Sequence, residues 1–119
     1  MALSFFKSPQ EQPWDLFSHR MDRALGAASS TFRTRHGRHL ALGSPVKLPG
    51  AEGDVIRMPI EVRGGPYEYA VAYVEARASD LKKGDARRLE SIAREAAQAA
   101  EPYLDKRPDK PGEVVFHYP

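Results

Sequence analysis

The sequence predicts a single small α+β domain: an antiparallel sheet of three to five strands with two helices packed on one face. Two observations carry that prediction. Residues 54–76 alternate apolar and polar positions along two arms, DVIRMPIEV and YEYAVAYVEA, joined by RGGP. A period of two is the mark of a half-buried strand. Two further stretches, 13–28 and 80–104, repeat apolar residues at intervals of three and four, the period of a helix with one buried face. A chain of 119 residues has the length for one modest core. Residues 1–119 are therefore read as one domain of order α-(β-β)-β-β-α-β.

The first helix is placed from about Pro13 to Ala28. Proline suits the first helical position because its missing N–H would have had no partner there. Trp14, Phe17, Met21, Ala24 and Ala28 supply the apolar face. An earlier start at the capping-box pattern of Ser8-Pro9-Gln10-Glu11 would leave Pro13 inside the helix and bend it.

Residues 29–53 form a basic segment punctuated by six glycines and prolines. Two readings stand here: a short hairpin, TFRTR and RHLAL around a His36-Gly37 turn, or a mobile loop. SPVKLPGAEGD follows as a connector. The last helix is placed at about Asp80 to Leu104. Gly84 can interrupt its first turn, in which case Asp85 caps a shorter helix. Pro102 ends or kinks it, and Glu90 and Arg94 are expected to pair at i,i+4. EVVFHY closes the chain as a strand.

The main hairpin carries three tyrosines of one parity, Tyr67, Tyr69 and Tyr73. A two- or four-residue turn centred on Gly64-Gly65 pairs Val62 with Tyr67, Ile60 with Tyr69, Met58 with Val71 and Ile56 with Tyr73. Opposed residues share a side of the sheet, so the tyrosines are expected in the core. Arg57, Pro59, Glu61, Glu68, Ala70 and Ala72 then form the other face. An odd shift would reverse this. Pro59 lacks a ladder donor, so its strand is expected to be an edge or bulged there.

Composition narrows function without naming it. Cysteine is absent, which removes disulfides, thiolate nucleophiles and cysteine metal sites. Asparagine is also absent and arginine outnumbers lysine 12 to 6, a bias of thermophilic or GC-rich bacterial sources. No apolar run reaches the roughly 18 residues that span a bilayer, and the first residues lack a signal-peptide pattern. A cytoplasmic protein without a membrane partner is expected.

No catalytic, cofactor or metal site is predicted. His36-x-x-His39 offers two ligands, but zinc needs a third from the protein and the nearest acid is Glu52. Ser18 and His19 are helical neighbours whose side chains diverge. Glu61 and Glu68 read as a solvated cluster beside Arg63.

The net charge of +2 is uneven, and residues 29–51 hold four cations and no acid. Three functional readings follow. The first is a non-enzymatic interaction module, a homodimer joined through the sheet edge or helix faces. The second is a nucleic-acid binder using Phe32 to stack and Arg33, Arg35, His36, Arg38, His39 and Lys47 to contact phosphates. The third is a small-ligand pocket or enzyme site between helices and sheet.

Overall fold

The computed structural model describes residues 13–110 and 114–119, so the Ser8–Glu11 alternative lies outside the described residues. Helix α1 spans Pro13–Ala28 and α2 spans Ser30–His36. Strands β1 (His39–Leu42), β2 (Val46–Leu48), β3 (Val55–Arg63) and β4 (Tyr69–Arg77) follow. Helix α3 (Ala86–Ala100) and strand β5 (Val115–Tyr118) complete the order. The domain is α+β, with one five-stranded sheet and the helices packed on it. Among the described residues, no helix is long and apolar enough to cross a membrane.

The helices end where the sequence expects. Asp85 caps α3 by accepting the Arg88 N–H at 3.1 Å. Pro102 sits in a 3-10 turn, Glu101–Tyr103, that closes the helix. The expected Glu90–Arg94 pair does not form; neither residue has an ion pair or side-chain hydrogen bond among the described residues.

TFRTR is not a strand. It lies in α2, and Gly37 is that helix's C-cap, at φ 69°. The Gly37 N–H donates to Arg33 O, the bond of an αL helix ending, and the Arg38 N–H donates to Phe32 O. The His-Gly pair does need positive φ, but to stop a helix rather than to turn a hairpin. Buried Ser29 separates α1 from α2. Its hydroxyl donates to Leu25 O at 2.8 Å and accepts from the Leu40 N–H at 3.1 Å, which ties the helical layer to the sheet.

The sheet is mixed. β1 and β2 lie end to end along one side of β3, both antiparallel to it, and β4 lies antiparallel on the other side. β5 pairs with β4 in parallel. The antiparallel expectation fails at that strand for a topological reason: the chain leaves β4, crosses through α3 and returns in the same direction. β2 also falls inside the expected connector.

Pro59 is therefore not on an edge. The strand beside it is broken instead. β1 stops opposite Ile60 and β2 starts opposite Arg57, so the missing donor faces the gap. The Gly43 N–H crosses that gap to Pro59 O at 2.7 Å.

The hairpin register also differs from the expected one. The connection runs over residues 64–68, placing Val62 opposite Tyr69. A β-bulge between Ile60 and Glu61 then shifts the ladder by one, so Ile60 faces Ala72 and Met58 faces Val74. Gly64 has φ 100°, and a Cβ there would stand 2.4 Å from Gly37 O. The glycine pair thus marks where the hairpin tip packs on the end of α2, a contact that no local pattern encodes. The tyrosines separate as a result. Tyr67 is 77% exposed, Tyr69 is half-buried at the core margin, and Tyr73 stands opposite Pro59 on the face away from the core. Ala72, expected outside, is fully buried.

The core lies between Met58, Ile60, Val62 and Val74 of the sheet and the stripes Phe17, Met21, Leu25 and Leu89, Ile92, Ala96 of α1 and α3. Each large apolar side chain buried there contributes roughly 1.5–3 kcal/mol.

Candidate binding surfaces

The seven residues expected to contact nucleic acid do not form one surface. Phe32 is 8% exposed within the core and cannot stack on a base. Arg38 is committed to structure: it donates to Leu104 O at 3.2 Å and His36 O at 3.2 Å, and pairs with Asp105 at 2.8 Å. His39 is half-buried on β1, opposite Arg63. Lys47 stands on β2 with Asp54 at 3.8 Å. Arg33, Arg35 and His36 remain together, exposed on α2.

Close to Arg38, the Tyr69 hydroxyl donates to Tyr103 O at 2.5 Å. Burial raises the Tyr69 pKa above its ordinary value; Asp105 adds to the rise and Arg38 opposes it.

The face of the sheet turned away from α1 and α3 is ordered by its register. An apolar band crosses the strands: Ala41 and Ala70 flank Glu61, while Pro59, Tyr73 and Val115 stand side by side. Ion pairs border the band. Arg63 meets Glu61 at 2.8 Å on one side, with Glu68 at 3.8 Å. On the other, Arg57 meets Glu75 at 2.5 Å and its guanidinium carbon lies 5.1 Å from the Tyr73 ring centre. Glu61 and Glu68 are thus both served by Arg63. The exposed Val46 and Leu48 share this face at its β2 margin, opposite Arg57 and Val55.

A different surface lies on the outer side of the helices. α1 and α3 enclose a groove of about 680 Å³, within the range of ligand pockets. Its floor is Ala24, Ala27, Ala28, Ala86, Leu89 and Ala93. Arg20, Arg23 and Arg94 stand on its rim with His19 and Glu90, and Leu16, 48% exposed, lines it as well. Among the described residues none of these arginines has an ion pair or a side-chain hydrogen bond. The groove opens to solvent over the helices, not between helices and sheet.

The sequence expectation did not include these three arginines. Their signal is visible in retrospect: Arg20 and Arg23 have no carboxylate three or four residues away on either side, the positions where a helix would neutralise them. Among the described residues, no cluster of three or more His, Asp or Glu could hold a metal ion. Comparison with protein-family models, curated proteins and solved structures finds no match to this chain.

Proposed function

We propose that the chain is a small non-enzymatic interaction module that works as a homodimer joined through the open face of its sheet. The observation behind this reading is the apolar band of Pro59, Tyr73 and Val115 bordered by ion pairs closed within one chain. A face whose charges are already neutralised can meet its own copy across a two-fold axis without like-charge repulsion. The helical groove has the opposite character, because its arginines, without an ion pair among the described residues, would repel a second copy. β3 lies inside the sheet, flanked by β4 and by β1 and β2, so the side bearing Pro59 is not a free edge.

Light scattering after size exclusion tests the reading. The 13.3 kDa chain should behave as a particle of twice that mass. Tyr73→Glu should convert it to a monomer with an unchanged circular-dichroism spectrum. A wild-type monomer at high concentration would defeat the proposal.

A second reading rests on Arg33, Arg35 and His36, exposed together on α2. Nucleic-acid binding there should appear as affinity for labelled RNA or DNA that falls steeply with salt. No binding at low salt removes it.

A further inference from the structure

We infer that the groove between α1 and α3 receives an amphipathic helix of a partner protein, one that flanks an apolar stripe with carboxylates. The argument begins with the direction of the two helices. Arg20 Nη1 comes within 3.1 Å of the position a Cβ would take at Gly84, just before α3. At the other end Arg38, just after α2, bonds Leu104, just past α3. Phe17, near the start of α1, packs on Tyr118, whose hydroxyl accepts from the Asp85 N–H at the start of α3. The helices therefore run side by side in one direction, and residues 16 to 28 of α1 and 86 to 94 of α3 line the groove between them.

That alignment distributes the cations. Arg20 stands at one end of the groove, Arg23 near the middle and Arg94 at the far end. Eight residues of helix separate the ends, about 12 Å. A simple aliphatic carboxylate needs its cation at one end of an apolar slot. Three arginines spread along the length, with Glu90 the one acid among the described lining residues, match instead a partner bearing several negative charges at helical intervals. The floor fits the same occupant. Five alanines and one leucine leave a shallow trough into which larger apolar side chains can reach, the arrangement by which grooves read helices at i, i+3, i+4 and i+7. Leu16 extends the apolar lining past Arg20. Arginines without carboxylate partners leave their charge available to the incoming helix.

The groove and the open sheet face lie on opposite sides of the molecule, so this inference stands whether the chain is a monomer or a dimer. Fluorescence anisotropy tests it with a labelled model peptide of about 18 residues carrying a leucine stripe flanked by glutamates, and with its counterpart in which lysines replace the glutamates. The acidic peptide should bind, and more weakly as salt rises. Arg23→Glu combined with Arg94→Glu should weaken it by about tenfold or more and should bind the lysine peptide instead. Thermal melts of the variant confirm that it is folded. Equal affinity for both peptides, indifference to the double substitution, or absence of binding at low salt would each overturn the inference. So would binding of a labelled long-chain carboxylate by a protein that ignores the acidic peptide.

Discussion

The two sides of this small domain use arginine in opposite ways. On the open sheet face Arg57 and Arg63 each hold a carboxylate within 2.8 Å. Over the helices, Arg20, Arg23 and Arg94 surround an apolar trough and have no such partner among the described residues. A guanidinium that closes on a neighbouring acid is part of the fold; one left beside apolar surface is an invitation to something else. The contrast gives each arginine a measurable signature, because a committed charge leaves its partner stranded when removed and a free one does not.

Alanine substitutions followed by urea unfolding test that contrast directly. Arg38→Ala should have the largest effect, about 2 kcal/mol, since it strands the Leu104 carbonyl and removes a side chain only 21% exposed, while Asp105 stays in water. Arg57→Ala should cost about 1 kcal/mol, because Glu75 is 19% exposed but the arginine itself is more open. Arg23→Ala should stay within about 0.5 kcal/mol. A loss at Arg23 equal to that at Arg57 would erase the distinction between the two sides.

Acid unfolding sharpens the comparison at a third place, the turn between β4 and α3. Asp80 lies between Lys83, at 2.8 Å, and Arg77, at 3.4 Å. Its pKa is held below the ordinary value of 3.8, chiefly by the Lys83 hydrogen bond against a smaller cost of burial. The carboxylate is shielded by its cationic neighbours rather than sunk in the core. A depressed folded-state value means the ion pairs stabilise fully above the unfolded pKa and fade as pH falls through the folded one. Asp80→Asn should therefore lower stability near neutrality, and the gap from wild type should close in strong acid. A gap that persists unchanged in strong acid would mean that Asp80 acts through packing.

What the sequence made legible was local. Helices α1 and α3, the Asp85 cap, the two hairpin arms and the final strand all rest on periodicity or on one residue's chemistry. The misreadings arise where a distant contact decides. Gly64 needs its positive φ beneath Gly37, so the turn is not centred on the glycine pair and the tyrosines part company. The bulge at Ile60/Glu61 sends Tyr73 outward. Gly37 reads as a turn-former, yet the same backbone demand ends a helix. The direction of β5 follows from the order β4, α3, β5, because a helical crossover returns the chain parallel to the strand it left. The groove was half legible: Arg20 and Arg23 lack acids at helical spacing, but only the parallel packing of α1 against α3 brings Arg94 to the same trough.

The separation of groove and sheet onto opposite sides has a consequence for valency. Two chains joined back to back through their sheets would carry two outward-facing grooves. Such an assembly could hold two acidic helices at once, or two segments of one long partner. The second capture would then be governed by effective concentration, and overall avidity can exceed the single-site affinity by roughly a hundredfold or more when the geometry permits both contacts.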